Sequence, residues 1–72
     1  MKNSIIISNG FFCVYPADVS ILPFFLMNDV EGNILVYTYN RWNLSEQKPA
    51  AKANGKFATI EDALEFINHY AD

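Results

Sequence analysis

The chain holds one histidine and one cysteine, His69 and Cys13, and these are the first residues to weigh for acid–base or nucleophilic chemistry. A histidine acts as a ligand, base or acid only when partners are placed around it. Glu65, four residues before His69, offers one partner, and no metal-ligand set forms around the pair. An imidazole near a helix C-terminus is favourable when charged, which requires no function. Cys13 falls opposite Ile6 in an alternating strand pattern and reads as a small buried hydrophobe. A nucleophilic thiol needs a neighbouring cation or helix N-terminus to lower its pKa, and nothing local supplies one. Glu61, Asp62 and Glu65 fall on the first turn and wet side of a helix, where carboxylates are simply solvated. There is no glycine-rich phosphate loop, because Asn9-Gly10 and Asn54-Gly55 are turn signals. The residues therefore predict no catalytic site, no metal, no cofactor and no enzyme.

Recognition chemistry is better supplied. Tyrosine and tryptophan bury a large rigid area while keeping a polar tip, which suits both strands and interfaces. Tyr15, Tyr37, Tyr39 and Trp42 form such a set. Arg41, Lys48, Lys52 and Lys56 are four of the five basic residues and fall in or beside residues 43–56. Tyr37, Tyr39, Arg41, Trp42, Lys48 and Lys52 are the expected partner-binding residues.

The elements that position them come from a chain of 72 residues, long enough for one small domain with a thin core. With 51% hydrophobic and 15% aromatic residues, the chain is not a disordered one. A net charge of −3 argues against binding driven by phosphate neutralisation, yet is too small for a mimic of DNA. The apolar start stops at Asn9-Gly10 before reaching signal-peptide length. The run Val19 to Met27 contains Ser20 and Pro23 and is about half a bilayer span. A soluble, cytoplasmic protein is expected, consistent with a single cysteine that has no internal disulfide partner.

Two hairpins organise the chain. Ser4 to Ser8 and Phe11 to Tyr15 flank Asn9-Gly10, the favoured pair for a two-residue turn. This register pairs Ile7 with Phe12 and Ile5 with Val14. The stretch 20–42 forms the second hairpin, closed by a type I turn over Val30 and Glu31 with a left-handed Gly32. It pairs Asn28 with Ile34, Met27 with Leu35, Leu26 with Val36 and Phe25 with Tyr37. Alternation then puts Phe25, Met27, Leu35, Tyr37 and Tyr39 on one face, and Phe24, Leu26, Ile34, Val36 and Trp42 on the other. Residues 43–56 read as a mobile basic loop, with one helical turn over 45–54 as the alternative. Residues 59–70 read as a helix capped by Thr59, with Ile60, Ala63, Leu64, Ile67 and Ala71 as its buried stripe and Phe66 and Tyr70 on the flank. Phe57 packs under that helix or forms a short last strand. The expected architecture is α+β, a four-stranded antiparallel meander of two consecutive hairpins with one C-terminal helix on one face.

A helix of twelve residues is about 18 Å long and covers about half of one face of such a sheet. The other face stays apolar and needs a cover. A homodimer or another protein partner would supply it, and so would residues 43–56 folding back as a lid.

Gly55-Lys56-Phe57-Ala58-Thr59-Ile60-Glu61-Asp62-Ala63 resembles the strand-to-helix junction of AP2-type and integrase arm-binding domains, whose sheets read DNA. The strands here carry Ile, Phe, Leu and Tyr where those sheets carry arginine and lysine. The whole profile also resembles the small proteins that phages encode against host defence, anti-CRISPR proteins among them. That resemblance implies a non-enzymatic inhibitor that occludes a partner surface. Nucleic-acid binding through Arg41, Lys48, Lys52 and Lys56 is the alternative.

Overall fold

The computed structural model describes residues 4–8, 11–16 and 20–71. The Asn9-Gly10 turn, residues 17–19 and the side chains of 4–8 and Ala71 lie outside the description. Alternating apolar strands separated by turn signals fold into β1 (Ser4–Ser8), β2 (Phe11–Tyr15), β3 (Phe24–Asn28) and β4 (Ile34–Tyr37). Consecutive strands pair antiparallel, giving the expected meander. In the first hairpin Ile5 stands opposite Val14 and Ile7 opposite Phe12. In the second, Phe25 stands opposite Tyr37 and Asn28 opposite Ile34. Both registers are those the turn chemistry predicts.

The second turn shows why. Gly32 has φ +86°, a conformation that costs glycine nothing, and its N–H donates to Asp29 O at 3.2 Å. Asp29 N–H donates in turn to Asn33 O at 3.0 Å. The Asp29 carboxylate accepts from the Glu31 and Asn33 N–H groups, each at 2.9 Å, so the side chain closes the loop that the glycine permits.

After β4 the chain leaves the strand conformation. Arg41 N–H donates to Thr38 O at 3.0 Å and closes a single 3-10 turn over Tyr39–Arg41. This turn cancels the period of two and corrects one expectation. Trp42 does not share a face with Leu26 and Val36; it packs with Phe25 and Tyr37 on the opposite side. Residues 43–56 are neither a helical turn nor a plain loop. Trp42–Asn43 (β5) pairs with Lys48–Pro49 (β6) as a small separate hairpin. Gly55–Phe57 (β7) then adds a fifth strand to the main sheet beside β4, in the order β1-β2-β3-β4-β7. Asn54 fastens this return: its N–H donates to Val36 O at 2.7 Å and its Oδ1 accepts from Thr38 N–H at 2.8 Å.

Helix α1 (Ile60–Ala71) begins where Asp62 N–H donates to Thr59 Oγ1 at 3.2 Å, the N-cap bond that satisfies a first-turn donor. Ala63 and Ile67 are fully buried against Val14, Phe24, Leu26, Ile34 and Val36. No helix of the described residues is long and apolar enough to cross a membrane.

The sheet thus carries a core on each side. The helix builds one. The other gathers Phe11, Cys13, Phe25, Tyr37 and Trp42, with Met27, Leu35 and Ala53 packed on it. Trp42 and Ala53 both belong to the segment that follows β4, so that segment covers much of the second face.

Candidate functional site

Antiparallel pairing brings the end of β2, the start of β3 and the end of β4 to the same end of the sheet. Each contributes exposed apolar surface there. Tyr15 closes β2 and is 44% exposed; Leu22, just before β3, is 58% exposed; Tyr39 opens the 3-10 turn after β4. Tyr70, 57% exposed, joins from the last turn of the helix, its ring edge-on to Phe24 at 5.6 Å. Leu44 projects at the tip of the β5–β6 hairpin.

These side chains line two grooves that meet at Tyr39. One, of about 300 Å³, runs between Leu22, Phe24, Tyr39 and Tyr70. The other, of about 440 Å³, runs between Tyr15, Pro23, Tyr39 and Leu44, with Phe11 and Cys13 in its floor. No residue lining either groove carries a formal charge. Of the large apolar side chains exposed among the described residues, only Val30 lies elsewhere, in the β3–β4 turn at the opposite end of the sheet.

The hairpin that presents Leu44 is held by polar contacts on its outer side. Asn43 Oδ1 accepts from Glu46 N–H at 3.0 Å, and Asn43 Nδ2 donates to Glu46 Oε2 at 3.1 Å. Gln47 closes the turn with φ +56°, a left-handed conformation uncommon outside glycine, asparagine and aspartate. Lys48 pairs with Glu46 at 3.0 Å between two exposed side chains.

Cys13, Tyr15 and Tyr37, three titrating groups on the strands, are held toward their neutral forms. Burial pushes the Cys13 thiol above its ordinary range, only partly offset by a side-chain hydrogen bond with Tyr15. That same bond raises the Tyr15 phenol, and burial raises Tyr37. His69 approaches Glu65 at 3.7 Å on the exposed side of the helix. Among the described residues no group of three or more His, Cys, Asp or Glu is placed to hold a metal ion.

The residues expected to bind a partner are thus divided. Tyr37 and Trp42 lie in the second core, each 6% exposed, so they support the surface from below. Tyr39 stands at the junction of the two grooves. Arg41 is exposed and its guanidinium donates to Lys52 O at 3.0 Å, bracing the segment against itself. Lys48 is engaged with Glu46, while Lys52 lines a third groove with Lys56, Leu35 and Tyr37. Tyr15, part of the aromatic set but not of the expected binding residues, joins the site, and Leu22, Leu44 and Tyr70 are additions that sequence reasoning missed. Leu44 had one signal, as the single large apolar residue between Asn43 and Lys56. No protein-family model, curated protein or solved structure matches this chain.

Proposed function

We propose that the protein is a small non-enzymatic binding module that docks another protein on the two uncharged grooves at one end of its sheet. The observation that carries this reading is the convergence of Tyr15, Leu22, Tyr39, Leu44 and Tyr70 on two uncharged grooves that meet at Tyr39. Interfaces concentrate aromatic anchors and exclude charge at their centre, and a small domain gains little by leaving such a cluster in water. Two of the anchors rest on buried rings, Tyr39 at 6.2 Å from Phe25 of the second core and Tyr70 edge-on to Phe24 of the first, so their positions are set before a partner arrives. Arg41 and Lys48, just outside the grooves, are suited to a polar rim. The concrete version is an inhibitor, of the kind phages use against host defence, that occupies a working surface of a cytoplasmic complex.

The test is expression in a bacterium with active CRISPR immunity, scored by phage plaques. Wild-type protein should restore plaquing, and a Tyr39→Ser/Leu44→Ser variant that retains its circular dichroism spectrum should not. Plaquing that stays at the empty-vector level with wild-type protein removes the inhibitor reading. Equal restoration by the variant removes the site.

A further inference from the structure

The two edges of the main sheet are unlike. β7 is three residues long and carries Lys56 at its centre, a charge that blunts an edge against further pairing. β1, at the other edge, is Ser-Ile-Ile-Ile-Ser, with no charge, proline or glycine. None of the devices that protect an open edge is present in it.

The registers fix which backbone groups that edge presents. In an antiparallel ladder, hydrogen-bonded and non-hydrogen-bonded pairs alternate. The Asp29 N–H bond to Asn33 O makes that pair hydrogen-bonded, so Met27↔Leu35 and Phe25↔Tyr37 are hydrogen-bonded as well. Phe24 and Leu26 therefore turn their N–H and C=O groups toward β2, where they meet Val14 and Phe12. This leaves Phe11, Cys13 and Tyr15 to bond Ser8, Ile6 and Ser4 of β1. The N–H and C=O groups of Ile5 and Ile7 point away from the sheet, where no strand of the described residues pairs with them.

We infer that the chain forms a two-fold dimer in which β1 of one copy pairs antiparallel with β1 of a second copy, centred on Ile6. A two-fold interface demands that the strand complement itself, and Ser4–Ser8 reads identically in both directions. Centring on Ile6 sets Ile5 of each copy against Ile7 of the other, so both outward-facing residues enter hydrogen-bonded pairs. A slip of one residue would set an outward-facing residue against an inward-facing one and lose every bond. Pairing on Ile6 is also the register that overlaps the whole strand. The Ser4 end of β1 lies beside Tyr15, so the grooved ends of the two copies would stand at opposite ends of the joined sheet. The dimer does not depend on the binding role proposed for those ends.

Sedimentation equilibrium of the full chain over a wide concentration range should give a species of twice 8.2 kDa. Ile5→Pro removes an outward donor while sparing the ladder to β2, and should return a folded monomer. Register is read by cross-linking in a Cys13→Ala background. Ile6→Cys should form an intermolecular disulfide readily because it faces its own copy, and Ile5→Cys should do so far more slowly. If Ile5→Pro does not fold, the cysteine pair decides. A mass of 8.2 kDa at every concentration, an undiminished dimer in Ile5→Pro, or equal cross-linking at both positions would overturn the inference.

Discussion

Phe25 and Trp42 stack face to face, with ring centroids 5.1 Å apart and planes 3° from parallel, although Trp42 lies beyond the strand that pairs with Phe25. Phe11 and Tyr37 tilt against the same indole at 4.9 and 5.5 Å. The contact ties the segment after β4 to the second face of the sheet and closes the second core. The indole Nε1 is buried there with no hydrogen-bond acceptor among the described residues.

Removing the ring should therefore be far worse than shortening it. Trp42→Ala should cost about 3–5 kcal/mol, the usual penalty for deleting a buried aromatic side chain. Trp42→Phe keeps a ring over Phe25 and deletes an unpaired donor whose burial costs about 1–3 kcal/mol, so its penalty should be less than half as large. Urea unfolding of both variants checks the ratio, and equal penalties would mean that the indole's outer ring carries the packing.

Cys13 should behave as a core residue. The residue is 8% exposed and burial raises its pKa, so both access and thiolate fraction are low at neutral pH. Alkylation of the native protein by iodoacetamide should be about a hundredfold slower than of the urea-unfolded chain, followed by mass spectrometry. A rate close to that of the unfolded chain would place the thiol at the surface of the Tyr15 groove.

The β3–β4 turn should respond to acid. Desolvation alone would raise the Asp29 carboxyl, but hydrogen bonds from the Asn33 N–H, the Asn33 side chain and the Glu31 N–H, with Lys56 nearby, hold it below its ordinary value. A lowered folded-state pKa means the stabilisation is present above the unfolded-state value and is lost as pH falls through the folded one. Wild type should exceed Asp29→Asn in urea midpoint at neutral pH, and the gap should close as pH falls below the carboxylate range. A gap independent of pH would assign the turn's stability to geometry alone.

What the residues announced in advance is local. Gly32 and its polar neighbours determine the loop, the loop determines the Phe25–Tyr37 register, and the register determines both apolar faces. Thr59 and the spacing of Ala63 and Ile67 do the same for the helix. The misassigned residue is Trp42, because period-two reasoning has no means of seeing the 3-10 turn at Tyr39–Arg41, where a single N–H bond to Thr38 reverses the face. The candidate site was less legible for a different reason. Tyr15, Leu22, Tyr39, Leu44 and Tyr70 come from five separate parts of the chain, and only the meander brings them to one end. Tyr39 stands out in the sequence as an aromatic beside Arg41 and Trp42, whereas Leu22 and Tyr70 look like ordinary strand and helix residues.

The central claim is that the paired grooves at Tyr39 are where another protein docks, and it can be read directly by photo-cross-linking in producing cells. A photoreactive benzoylphenylalanine replaces Tyr39 in one variant and Val30 in another, Val30 being fully exposed and apolar but at the opposite end of the sheet. The account predicts a discrete higher-mass adduct to a single heterologous protein from position 39 and none from position 30. No adduct at position 39, or the same adducts from both positions, would contradict it.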